Sequence, residues 1–94
     1  MDSSFRAEQA LGYQQITSLS SATALTVPAG ATMARIQPET QAVRWRDDGS
    51  NPSATVGQPL AVGAELVYTG AQLSVLKFIE QVSGAKLNVT YYGA

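Results

Sequence analysis

From Gly12 onward, apolar and polar residues alternate with a period of two, the spacing that turns every second side chain of a strand toward a core. Residues 13–19 are the first expected strand, followed by a polar connection over 20–23. Leu25 and Val27 alternate with Ala24 and Thr26, and Pro28-Ala29-Gly30 then reads as a turn. A second firm strand covers 33–37 and is expected to break at Pro38-Glu39-Thr40. Residues 41–46 follow at hairpin spacing, with Val43 and Trp45 facing one way and Ala42, Arg44 and Arg46 the other. Residues 47–59 hold Gly49, Pro52, Gly57 and Pro59, and form the longest loop, with one short extended piece at 54–56. Strand character returns over 60–62 and 65–68, flanking Gly63, and a turn spans 70–73. Residues 75–82 are rich in apolar side chains. The run VLKFIEQV also fits one helical face, but the Ser83-Gly84 dipeptide and the clean alternation of 86–92 favour a hairpin of two strands. In that last strand Leu87, Val89 and Tyr91 share a face.

The count is seven or eight short antiparallel strands joined by Gly/Pro turns with no helix between them. That is the signature of a small all-β sandwich or barrel, jelly-roll-like in its class. The opening segment differs. Residues 1–11 (MDSSFRAEQAL) read as an N-terminal arm or short helix over 4–11, capped by Ser3 or Ser4, with a frayed tail as the alternative. Its apolar residues, Phe5 and Leu11, are too few to bury a face, so an ordered arm calls for a neighbouring subunit or partner. Residues 12–94 form a single β domain.

Composition sharpens this picture in two places. Charged residues make up 14% of the 94-residue chain, against roughly 25% in an average soluble domain. Such a surface suits a protein packed against other proteins, or equally a solvated surface of Ser, Thr, Gln and Asn. The net charge is −1 with no basic stripe, so the phosphate contacts of nucleic-acid binding are not expected. No run approaches a membrane-crossing length, and the start of the chain lacks a basic-then-apolar signal pattern.

Chemistry is scarce. His and Cys are absent, which removes the usual groups for proton transfer near neutral pH and for thiolate metal sites. Lys77 and Lys86 are the only bases a serine nucleophile could use, and neither has a motif around it. Asp47-Asp48-Gly49-Ser50-Asn51 has calcium-ligand residue types, but its spacing fits an Asx-rich turn rather than a twelve-residue calcium loop. No catalytic residue, cofactor site or metal site is expected. Arg44, Trp45 and Arg46 form the densest aromatic and cationic patch, with Trp45 expected in the core.

The segments GYQQI at Gly12, LTVPAGA at Leu25, VRWRDDG at Val43, PSATVG at Pro52, and KFIE with GAKLNVTYY toward the end carry a resemblance. In that order, over most of the chain, they resemble a recurrent type of small β-rich structural protein of tailed-bacteriophage virions. The resemblance implies a part of the head decoration, fibre or tail accessory kind, assembled in the host cytoplasm, with no catalytic residues. The first expectation is therefore a capsid decoration or cement protein that binds the major capsid protein. The alternatives are a head-fibre, collar or tail adaptor, and a carbohydrate-binding sandwich using Trp45, Tyr68, Tyr91 and Tyr92. Phe5, Leu11, Tyr13, Arg44 and Arg46 are the candidate partner-binding residues, and a homo-oligomer, dimer or trimer, is expected.

Overall fold

A computed structural model describes residues 9–70 and 73–93. Among these, eight strands run in chain order: β1 (Gln9–Ile16), β2 (Thr23–Ala24), β3 (Ala31–Glu39), β4 (Val43–Arg46), β5 (Gln58–Leu60), β6 (Leu66–Thr69), β7 (Lys77–Glu80) and β8 (Lys86–Gly93). A single 3-10 turn at Leu73–Val75 precedes β7. The strands form two antiparallel four-stranded sheets, ordered β1-β8-β3-β6 and β2-β7-β4-β5. This is the small all-β sandwich that the period-two alternation predicts.

The pairing has a simple logic. β1 pairs β8, β2 pairs β7, β3 pairs β6 and β4 pairs β5. The chain is therefore one long antiparallel ribbon, folded at the β4–β5 loop. Successive rungs of the ribbon go alternately to one sheet and the other. Two further ladders, β3–β8 and β4–β7, close the sheets. That wrapped ribbon is the jelly-roll arrangement.

The inner faces follow from the side-chain alternation. Leu87, Val89 and Tyr91 of β8 are buried, as are Ala34, Ile36 and Pro38 of β3. From the other sheet Val43 and Phe78 meet them, joined by Leu19, Leu25, Leu73 and Leu76 from connections. Removing each such large apolar side chain from water contributes about 1.5–3 kcal/mol. Trp45 packs against this core from the rim, half-buried, its ring edge-on to Tyr68 at 6.2 Å between centroids and 82° between planes.

Several local expectations are corrected. β1 starts at Gln9, so residues 9–11 are strand rather than helix, and the β domain reaches back beyond Gly12; residues 1–8, Phe5 included, lie outside the described residues. β1 ends at Ile16, three residues short of the expected 19, because the chain there turns to the other sheet. The strand expected around Leu25 and Val27 reduces to Thr23–Ala24. β5 and β6 sit two or one residues away from their expected places, at Gln58–Leu60 and Leu66–Thr69.

Pro38 does not break β3. Its carbonyl accepts from the Gly63 amide at 3.0 Å, on the side away from β8. A residue's N–H and C=O point to the same side of a strand, so the missing proline donor takes nothing from the β8 ladder. Residues 54–56 are a bend, not an extended piece; Ser53 and Val56 exchange backbone bonds of 2.8 and 3.3 Å across it. Neither expected hairpin forms. β3 and β4 lie in different sheets, and so do β7 and β8; Thr40, at φ 71°, and Gly84, at φ 102°, turn the chain across the sandwich instead.

Candidate docking surfaces

Because the ribbon alternates between sheets, its connections sort to two ends. The connections 17–22, 40–42, 61–65 and 81–85 meet at one end. Backbone bonds brace them: the Glu80 amide donates to Leu19 O at 2.9 Å, the Gln81 amide to Ala42 O at 3.0 Å, and the Gly63 amide to Pro38 O at 3.0 Å. The Thr40 hydroxyl donates to Gly84 O at 2.5 Å. These four connections carry one charged residue, Glu65, and the strand ends that flank them add Glu39, Glu80 and Lys86. Glu65 is engaged by an ion pair with Arg35. Val62 and Val82 stand out from this end, 51% and 58% exposed. Sequence reasoning passed over both valines; the signal available to it was the near absence of charge from four separate connections.

The opposite end holds the 47–57 loop. Arg44 and Arg46 project together from the outer face of β4, where Arg46 lies across from Lys77 of β7. Like charges directly opposite on one face are unfavourable, and neighbours relieve them here. Asp48 takes the Arg46 guanidinium in a bidentate contact at 3.1 and 2.5 Å, and Lys77 donates to Asn51 Oδ1 at 3.0 Å. Arg44 donates to Gly57 O at 2.8 Å, and with the Gln81 amide turned to its better-bonded orientation it donates to that side chain at 2.8 Å as well. The Tyr68 hydroxyl donates to Asp47 Oδ2 at 2.6 Å.

The two arginines therefore fasten the loop. Arg46 and the Ser50 amide hold the Asp48 carboxyl below its ordinary range, and the bond to Asp47 raises the Tyr68 phenol. The Ser50 amide on Asp48 is the Asx turn expected for the acidic run. Among the described residues, no three His, Cys, Asp or Glu side chains are grouped to hold a metal ion.

Leu11 and Tyr13 belong to the other sheet. Leu11 is the extra residue of a bulge between Ala10 and Gly12 and, partly buried, packs against the core. Tyr13 is 64% exposed and donates to Asn88 Oδ1 at 2.5 Å, where Gln15 also donates at 3.1 Å. The five expected partner residues thus do not converge: Arg44 and Arg46 share one outer face, Tyr13 lies on the opposite one, Leu11 packs partly buried at the margin of the core, and Phe5 is outside the described residues.

Beside Tyr13, a groove of about 300 Å³ is lined by Gly12, Gln14, Thr26, Pro28 and Tyr91. Gln14, given no role by the sequence pattern, ties β1 to the segment after β2. Its Oε1 accepts from the Tyr91 hydroxyl at 2.6 Å and the Thr26 amide at 3.2 Å, and its Nε2 donates to Thr26 Oγ1 at 3.2 Å. Burial pushes the Tyr91 phenol up to about 12, with a backbone bond from Thr26 working the other way. The aromatics considered for sugar binding are dispersed: Tyr91 is buried, Trp45 and Tyr68 pack on each other between the sheets, and Tyr92 lies on the outer face of β8. Comparison with family models, with curated proteins and with solved structures finds no match to this chain.

Proposed function

We infer that the chain is a non-enzymatic structural part of a bacteriophage particle, a decoration or cement module seated on the major capsid protein that stabilises the head. The observation that carries this reading is the end built by 17–22, 40–42, 61–65 and 81–85, whose connecting residues include one charge, with Glu39, Glu80 and Lys86 at the strand ends around them. It is braced by backbone bonds and presents Val62 and Val82. Interface cores are depleted of charge in the same way, and a pre-braced surface loses little freedom on docking. The ordered run of segments from GYQQI to GAKLNVTYY supplies the particle context. The sandwich itself is shared by many functions and adds no weight of its own.

Mass spectrometry of purified virions tests the reading. The protein is expected at high copy number, and its absence from the particles sinks the proposal. A copy number too low to cover a head selects a fibre, collar or tail position instead. Val62→Glu combined with Val82→Glu is expected to abolish attachment to heads while leaving the melting temperature of the free protein within a few degrees of the parent.

A further inference from the structure

A two-sheet sandwich has four edge strands, and each presents a row of backbone groups that another strand can pair with. Here they are β1, β6, β2 and β5. Three are guarded. β2 has two residues; β5 has three, including Pro59; β6 has four and is flanked by the Arg35–Glu65 ion pair. β1 is different. It has eight residues, QALGYQQI, without a charge or a proline, and among the described residues it pairs on one side only, with β8. Its one protective device, the bulge between Ala10 and Gly12, bends only the first part of the strand.

We propose that the straight part of β1, from Gly12 to Ile16, pairs antiparallel with β1 of a second copy of this chain, joining two four-stranded sheets into one continuous eight-stranded sheet. The occupant follows from the charge pattern. In a two-fold interface each residue meets its own kind or a near neighbour, so any charge on the strand would meet its like. A strand with no charge over eight residues meets no such penalty. A two-fold axis at Gln14 sets Tyr13 of each copy against Gln15 of the other. These two side chains are already held side by side on Asn88. The groove of Gly12, Tyr13, Gln14, Thr26, Pro28 and Tyr91 adjoins the same edge, leaving room for the approaching strand. The dimer stands independently of the particle reading.

The test is light scattering on the full chain at high micromolar concentration, with amide exchange on the same samples. The expected mass is twice 9.9 kDa, and alternate amides of residues 12–16 are protected beyond what the β8 ladder accounts for. Gln15→Glu, on the exposed outer row, is expected to weaken the dimer at least tenfold, more so at low salt, with unchanged thermal unfolding at low concentration. Tyr13→Glu on the same row is the second variant should the first fail to fold. Val67→Glu on β6 is expected to leave the dimer intact. A 9.9 kDa species at all concentrations overturns the proposal. So does a dimer that Val67→Glu disrupts while both β1 variants leave it whole.

Discussion

At the scale of single residues, the clearest constraint is at Gly93. A Cβ there would run into the Gly30 carbonyl and reach 2.9 Å from Leu11 Cδ1, so the end of β8 and the turn after β2 approach as only glycine permits. Gly93→Ala is expected to lower stability by about 1–3 kcal/mol through forced backbone movement, measured by urea unfolding. An unchanged midpoint would mean that the turn at Gly30 yields freely. Tyr91 gives the second residue-scale expectation. Its phenol titrates at about 12 when folded, against an ordinary 10.0. Below 10 both states are protonated and the difference is constant. Between 10 and 12 the unfolded chain releases its proton first, so stability falls as pH rises through that window. Tyr91→Phe is expected to flatten this alkaline loss while costing about 1 kcal/mol at neutral pH for the bond to Gln14. Tyr68, also raised, keeps some slope in place. An alkaline limb identical to the parent's would rule out Tyr91 as its source.

At the scale of elements, the sequence shows which residues face inward far better than which strands meet. Leu87, Val89 and Tyr91 read as one face and are one buried face, because alternation is a local property of a pleated strand. Ser83-Gly84 and Pro38-Glu39-Thr40 read as hairpin turns and are crossings between sheets. A two-residue turn signal reports that the chain reverses, not that the flanking strands share a sheet. Among the strands adjacent in sequence, only β4 and β5 pair, and they are separated by the longest loop. The arginines were equally legible as a pair and illegible as a role. Arg44 and Arg46 do share an outer face, but what they hold is the 47–57 loop, through Gly57 and Asp48, and no motif encodes a carbonyl thirteen residues away. Arg44→Met keeps the aliphatic stem and removes the donors. It is expected to cost about 1 kcal/mol and to speed amide exchange across the loop, with a shift in the emission of Trp45, the only tryptophan. Unaltered exchange across the loop would show that Asp47, Asp48 and Asn51 hold it without Arg44.

At the scale of the whole molecule, the nested ribbon decides how the chain must fold. Its longest ladders, β1–β8 and β3–β8, join segments far apart in sequence, with Gln9 set against Gly93. The shortest separation belongs to β4–β5, one of the smaller ladders. Ordering a long loop before its contacts form is the dominant entropic obstacle in such topologies, which places folding in the millisecond-to-second range. A circular permutant reverses this hierarchy. Joining the Gly93 end to the Gln9 end by a short flexible linker, and opening the chain between Ala54 and Thr55, makes β8–β1 a local hairpin and brings β3 much closer to β8. The price is a distant β4–β5 pairing and longer separations for β3–β6 and β4–β7, ladders that together involve fewer residues than those brought closer. The permutant is therefore expected to fold several-fold faster than the parent in stopped-flow traces of Trp45 fluorescence, while unfolding no more slowly. Its native stability should fall modestly, since the opened 47–57 loop is fastened at Asp47, Asp48, Asn51 and Gly57 on both sides of the cut. Folding at or below the parent's rate would mean that the nucleus lies in the β4–β7 half of the sandwich, whose ladders the permutation lengthens. The β8 ladders would then be added after the rate-limiting step, and mutations at Val43 and Phe78 would slow folding more than mutations at Val89.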